Sequence, residues 1–521
     1  MPASRSRPEM RGTGGSRRRT VGLAAGVAGF VLVLLLPAPA GLSPDAHKTA
    51  AVAVLMISWW VSEAVHIGVT GLVPLVAFPL LGVSSSRDVS AHFANHLIFL
   101  FVGGFIIAHA MEAWNLHRRI ALNAIARFGS RPQPIVLGFM LTSAVLSMWI
   151  SNTATTMMLL PMAMAVVNQL AQSAEVRGVS SGAEGSRFAR DVFGCVLLLG
   201  IAYAASIGGI GTIVGSPTNV AFLGFVVDSL PDLPAIGFAQ WSLVCVPIVA
   251  VFLPMTWLYL CRFAGAVPLS SIRFSGSQSV IRRELDELGP ISTPEKRVLV
   301  VCAATGLLWI FRAPLDLGAL YLPGWSELFP VPGHVHDSTV AMAMAVLLFV
   351  LPSGHPRGTG RLLNWKGAAR GIPWGIVFLL GGGFSLAASI TETGLAAWVG
   401  SALSMMQGVP DWVLVVAICV LTTAMTETTS NVATVLMLSP AIAAMAGEIG
   451  VHPYLLLLPM AVTSSFAFTM PVATPPNAII FSSGWITIPQ MLRAGVVLDI
   501  AGLLVVPVAV YLLGASLLGI G

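Results

Sequence analysis

The 521-residue chain is 56% hydrophobic and only 9% charged, where soluble domains carry roughly 25% charge. That excludes a string of soluble domains, and the lack of alternating strands of about ten residues excludes a membrane β-barrel. The net charge of +5 is not a nucleic-acid signature, because the basic residues sit in loops and not on one face.

The chain reads as an all-α polytopic membrane protein. Residues 1–20 are expected to be a disordered basic cytoplasmic tail, ending in Arg17–Arg19 ahead of an apolar run from Val21. The Ala38-Pro39-Ala40 sequence resembles the end of a secretory signal. The segments that follow also need this helix for their topology, so it reads as an uncleaved first span. Apolar helices are predicted at about 48–65, 67–82 and 95–127. A broken segment at about 134–168 follows, then a polar run from Ser173 to Asp191 that reads as a solvated loop. A helix starting near 192 is interrupted at Gly215–Asn219, and others lie near 240–262, 297–311, 338–352 and 371–398. A second broken segment covers about 410–447, a helix from about 454 breaks at Ala473–Asn477, and the last helix runs about 494–518. These elements group as scaffold helices at 21–94 and 297–370, repeat cores at 95–262 and 371–521, and a cytoplasmic linker at 263–296.

The broken segments repeat. Ser151 and Ser430 are 279 residues apart, and the same shift superposes Gly103-Gly104-Phe105 on Gly382-Gly383-Phe384, Leu116 on Leu395 and Pro161 on Pro440. A second block, Gly215-Ser216-Pro217-Thr218-Asn219 against Ala473-Thr474-Pro475-Pro476-Asn477, is shifted by 258. One constant shift held from Gly103 to Pro161 indicates a duplicated half. Paired polar, Gly/Pro-broken segments in the halves of a membrane chain point to a transporter's binding site.

The basic residues test the topology. With the N-terminus inside and both broken segments (134–168 and 410–447) re-entrant, 24 of the 27 Lys and Arg fall on the cytoplasmic side; Lys48, Arg87 and Arg312 fall outside. This satisfies the positive-inside rule. It gives about eleven transmembrane helices, two re-entrant helical hairpins and halves of opposite orientation.

Each polar motif is expected at a hairpin tip, which leaves free amides at one helix start and free carbonyls at another helix end. Amides attract an anion; carbonyls, hydroxyls and an Asn oxygen can surround Na⁺. No Lys or Arg lies in any broken segment, so backbone amides, hydroxyls and co-bound cations must compensate the charge of an anion. A cation and an anion bound together reduce each other's desolvation cost.

Other features have plainer readings. Gly103-Gly104 and Gly381–Gly383 read as close helix packing. Glu427 is an intramembrane carboxylate with either a functional or a structural role. His109 and Glu112 lack further metal ligands, and five scattered cysteines without CxxC spacing read as inert core. No Ser/His or His/Asp constellation recurs within the apolar segments, so an enzyme is not expected. A channel would differ from a carrier in lacking saturation and uphill accumulation.

The two Ser-Asn motifs, Trp59-Trp60-Val61-Ser62-Glu63-Ala64 and the run from Ser464 through Thr474-Pro475-Pro476-Asn477 resemble the divalent anion/sodium symporter family, which includes dicarboxylate, citrate and sulfate transporters. The resemblance covers nearly all of the chain after residue 20. It implies a homodimer in the cell inner (plasma) membrane, with a fixed scaffold and a transport domain that moves like an elevator. It implies one sodium site from Ser147, Ser151, Asn152 and Gly215, and a second from Thr426, Thr429, Asn431 and Ala473. The substrate, a divalent organic anion with C4-dicarboxylates such as succinate or malate favoured, would meet Asn152, Thr153, Ser216, Asn431, Val432, Thr474 and Pro475. Sodium is the coupling ion and no organic cofactor is implied. A sodium-independent anion exchanger and a sulfate or citrate carrier are the rivals within the fold. Two positions depart from the family: Val432 stands where its dicarboxylate carriers usually have Thr, and His66 where Pro is common.

Overall fold

The computed structural model describes residues 13–128, 131–172, 174–176, 183–264, 269, 272–274, 284–316, 321–354, 360–403 and 406–514. Arg5, Arg7, Arg11, Arg177, Arg282, Arg283 and Arg357, which enter the topology argument, lie outside them, as does much of the expected linker. Among the described residues β structure is confined to the ladders Ala174–Val176 with Ile272–Phe274 and Leu315–Asp316 with Tyr321–Leu322, plus one bridge between Pro352 and Arg361. All else that is regular is helical. In hydrocarbon a helix satisfies its own backbone, which is why long apolar runs take this form. Among the described residues seven helices are long and apolar enough to cross a membrane.

The helix bounds correct several expectations. The first helix runs Thr13–Leu35 and so starts inside the stretch expected as a tail. The expected helix 95–127 is two, His96–Ala113 and Leu116–Ile125, divided at Asn115, whose φ of 56° is left-handed. Asparagine tolerates that region because its short polar side chain bonds locally. The expected helix 371–398 divides likewise into Trp374–Glu392 and Leu395–Leu403, at Gly394 with φ 83°. Asn115 and Gly394 are 279 residues apart, so the sequence spacing marks a shared backbone break. The helix Val73–Leu81 is separate from Ile67–Gly71. The run 173–191 is not all loop: Ala174–Val176 pairs with a strand almost a hundred residues on, and a helix begins at Ala183. A partner so distant in sequence leaves no local signal.

Two helix pairs and two broken helices make up the middle of the molecule. The first pair is Pro132–Ser147 and Asn152–Gln172; the second is Asp411–Thr426 and Asn431–Ile449. The first broken helix has limbs Ala183–Gly209 and Pro217–Ser229, the second Pro453–Thr463 and Pro475–Ser482. Residues 192–209 are wholly buried, and their helix carries both helices of the first pair. The short limbs are exchanged. Pro217–Ser229 packs on Asn431–Ile449, and Pro475–Ser482 packs on Asn152–Gln172. Each short limb therefore meets the pair of the other half, while the break ahead of it bonds the pair of its own half.

Around this middle, His96–Ala113 lies against Asp337–Val350, and a Cβ on Gly103 would come within 2.8 Å of the Ala341 Cβ. Trp374–Glu392 lies against Ile67–Gly71, where a Cβ on Gly382 would fall 2.0 Å from the Gly71 carbonyl oxygen. Both glycine runs thus serve close helix packing. His66 caps Ile67–Gly71: its Nδ1 accepts from Gly68 N at 3.2 Å, with Gly375 packed on the ring.

Candidate functional site

Proline and an N-cap hydroxyl restart each broken helix. Ser216 Oγ accepts from Thr218 N at 3.3 Å ahead of Pro217, and Thr474 Oγ1 accepts from Asn477 N at 3.3 Å ahead of Pro475. Proline at the first helical position loses no hydrogen bond. The residue before each break is held by an asparagine. Asn219 Nδ2 donates to Gly209 O at 2.9 Å and Thr212 O at 2.8 Å; Asn477 Nδ2 donates to Ala467 O at 3.0 Å and Met470 O at 3.1 Å. Every one of these atoms maps onto its counterpart by the 258-residue shift. Among the described residues, neither asparagine's buried Oδ1 has a partner.

The first oxygen cluster forms where the turn 148–151 meets the first break. Ser147 Oγ donates to Asn152 Oδ1, and Thr212 Oγ1 donates to Met148 O. A Cβ on Gly215 would lie 2.6 Å from Gly209 O and 2.9 Å from Ser147 O. A Cβ on Gly209 would lie 2.5 Å from Asn152 Oδ1. Carbonyl oxygens of Ser147 and Gly209 thus converge on the bare face of Gly215, and Asn152 Oδ1 sits on that of Gly209. Of the four residues expected here, Ser147, Asn152 and Gly215 come together. Ser151 sits beside them, its Oγ capping Ala154 N at 3.2 Å. Gly209 joins the cluster without having been singled out in the sequence.

The second cluster is its counterpart. Thr426 Oγ1 lies 2.7 Å from Asn431 Oδ1 and 2.6 Å from Ser464 O. One hydroxyl proton can at best be shared between two acceptors, so three oxygens crowd a point where only one hydrogen is on offer. A cation resolves such crowding, and hard oxygen donors suit Na⁺. Thr429 is not drawn in by its side chain: its hydroxyl bonds Met425 O at 2.9 Å and Thr434 Oγ1 at 2.8 Å, inside its own turn. Ala473 is buried, and its N donates to Met470 O at 3.2 Å.

The expected anion contacts line these breaks. Asn152, Thr153 and Asn431 are half-buried, Ser216, Val432 and Thr474 are buried, and Pro475 is exposed. Val432 and Thr153 hold matching positions at the two helix starts, so the two sides offer unequal hydrogen bonding. Among the described residues the arginine–carboxylate pairs are Arg118–Glu284, Arg119–Glu295 and Arg312–Asp337; none includes a residue of either break.

Two carboxylates brace the second break. Glu427 accepts from Thr469 N at 2.9 Å and Met470 N at 2.8 Å, and Asp499 accepts from Phe468 N at 3.3 Å and from Thr469 Oγ1. Glu427 is therefore at least a structural tie. Asp499 escaped notice in the sequence, although a lone acid in the apolar run 494–518 was the available signal.

The sodium:sulfate symporter transmembrane-region family matches residues 17–520. The chain is similar to the sodium-dependent dicarboxylate transporter SdcS of Staphylococcus saprophyticus, at 38% identity over 501 residues, covering 96% of this chain and 92% of that one. Its likeness to SdcS of Staphylococcus aureus is 37% over 505 residues, covering 97% and 93%. Among solved structures it resembles MtrF of Neisseria gonorrhoeae, with a TM-score of 0.56 over 96% of this chain and 95% of that chain, and the YdaH transporter of Alcanivorax borkumensis, with a TM-score of 0.50 over 96% and 97%. Both are 12% identical to it, a likeness of fold alone.

Proposed function

Because the chain belongs to the sodium:sulfate symporter family, we propose that it is a secondary active transporter that carries a dicarboxylate into the cell with sodium. Its relatives in two staphylococci are named as sodium-dependent dicarboxylate transporters. One sodium ion binds at Ser147, Asn152, Gly209 and Gly215, and a second at Thr426, Asn431 and Ser464, with Ser151, Thr429 and Ala473 supplying the flanking backbone. The anion lies between, against Asn152, Thr153, Ser216, Asn431, Val432, Thr474 and Pro475. Bound sodium offsets the charge that no Lys or Arg of the breaks can offset.

A C4-dicarboxylate such as succinate or malate is the substrate in this reading. The helix pairs are re-entrant in an inverted repeat of about eleven spans, and the loaded middle crosses the plasma membrane as an elevator against its scaffold. The protein works as a homodimer with its N-terminus in the cytoplasm. The observation that supports the reading is the exchange of short limbs, Pro217–Ser229 onto Asn431–Ile449 and Pro475–Ser482 onto Asn152–Gln172; in this reading the exchange turns both oxygen clusters toward one shared space. The test is uptake of labelled succinate, citrate and sulfate into proteoliposomes with and without a sodium gradient. Saturable succinate uptake that needs sodium is the expected result; sodium-independent exchange, or uptake of sulfate alone, would overturn it.

A further inference from the structure

Trp149 stands in the turn between Ser147 and Asn152, and its indole packs among Trp309, Phe238 and Gly306. It stacks on Trp309 with ring centroids 6.2 Å apart and planes 14° apart, and lies 6.3 Å from the Phe238 ring. A Cβ on Gly306 would come within 2.8 Å of its Cη2, closer than real Cβ contacts allow. The indole is thus a knob in a notch that exists because residue 306 has no side chain.

The socket is internally bonded. Phe238 and Trp309 are themselves stacked at 4.7 Å. Both are tied to Asp337: Phe238 N donates to Asp337 Oδ2 at 2.9 Å, and Trp309 Nε1 donates to Asp337 O at 2.9 Å. Asp337 is buried and paired with Arg312. The socket helix Thr293–Ile310 packs on His96–Ala113 and Asp337–Val350, and the helices of the first pair pack chiefly on Ala183–Gly209; Phe238–Tyr259 touches both Thr293–Ile310 and Pro132–Ser147. Trp149 therefore joins the polar turn to a different group of helices. Beside it runs a cavity lined by Gly104, Met111, Val214, Cys302 and Thr305.

We propose that Trp149 is a positioning residue that anchors the first polar turn to the helix Thr293–Ile310, so that this turn changes place only when the indole leaves the Gly306 notch. The anchor itself stands on geometry; its link to ligand rests on the sodium-coupled reading above. Departure of the indole opens the cavity that Cys302 lines. Cys302 is half-buried while the other four cysteines are buried, so it reports the event once those four are replaced by alanine.

The experiment follows maleimide alkylation of Cys302 in sodium-free proteoliposomes, which needs no transport. Trp149→Ala and Gly306→Leu are each expected to speed alkylation about tenfold, in keeping with the loss of two aromatic pairs. Trp149→Phe, which can still stack, is expected to stay near the parent rate. Monodisperse Trp149→Ala and Gly306→Leu proteins alkylated at the parent rate would overturn the anchor, as would Trp149→Phe behaving like Trp149→Ala. Sodium plus succinate is expected to shift the parent rate and leave Trp149→Ala unmoved. A parent that ignores them, while the variants react fast, supports the anchor and counts against the sodium-coupled reading.

Discussion

Asn219 and Asn477 stand 258 residues apart and do the same work: each donates two hydrogen bonds to the carbonyls of the segment just before it, at 2.8–2.9 Å in one case and 3.0–3.1 Å in the other. A broken helix in a membrane leaves carbonyls that no water satisfies. The two asparagines meet that need on both sides, and Asn219 does so at Gly209 O, a member of the first oxygen cluster.

Replacing either asparagine by alanine removes two hydrogen bonds from the break; Thr212 O and Met470 O keep a backbone donor in Gly215 N and Ala473 N, so the cost is about 1–3 kcal/mol in all. Asn219→Ala and Asn477→Ala are expected to lower the thermal unfolding midpoint in detergent and to raise the sodium concentration for half-maximal uptake. A variant with both quantities unchanged would remove that asparagine from the account.

Gly215 and Ala473 occupy matching places but are not interchangeable. The Cβ of a Gly215→Ala variant would be forced to 2.6 Å from Gly209 O and 2.9 Å from Ser147 O, filling the space assigned to an ion. Gly215→Ala is expected to abolish sodium stimulation of uptake, whereas Ala473→Gly removes a Cβ and is expected to keep it. Sodium titration of succinate uptake decides, and normal stimulation in Gly215→Ala would move the ion elsewhere.

Val432 is 6% exposed at the start of Asn431–Ile449 and cannot donate where a threonine would. Val432→Thr supplies a donor worth about 0.5–1.5 kcal/mol. Succinate affinity is expected to rise up to about tenfold, with a smaller change for sulfate, as read from competition against labelled succinate. An unaltered substrate profile would take position 432 out of the anion site.

His336, in the loop before Asp337–Val350, should make the protein acid-sensitive. Burial, helped by the nearby Arg312, holds its pKa below the ordinary imidazole value. The folded state thus takes up a proton less readily than the unfolded chain. Stability from this group is full at alkaline pH and is lost as pH falls through about 6.5. His336→Gln is expected to flatten the fall of the unfolding midpoint between neutral and mildly acidic buffer; an identical fall in the variant would contradict it.

Much of this was legible in the sequence because it repeats. The 279-residue spacing gave both helix pairs, and Pro217 and Pro475 marked the restarts. The spacing also ran through Asn115 and Gly394, but a left-handed residue makes no hydrophobicity signal, and each helix was therefore read as continuous. Thr429 shows the limit of residue type: a hydroxyl one turn from an oxygen cluster can bond elsewhere, and here it bonds Met425 and Thr434. Gly209 and Ser464 contribute backbone oxygens, which no side-chain pattern reveals. The strand Ala174–Val176 depends on a partner near residue 273 that only the folded chain supplies.

The most direct measurement is accumulation of labelled succinate against its own gradient in proteoliposomes under an imposed sodium gradient, for the parent, Asn152→Ala and Asn431→Ala. The account expects the parent to concentrate succinate, to stop when a sodium ionophore is added, and both variants to do neither. Concentration of succinate without sodium, or by either asparagine variant at the parent's level, would contradict it.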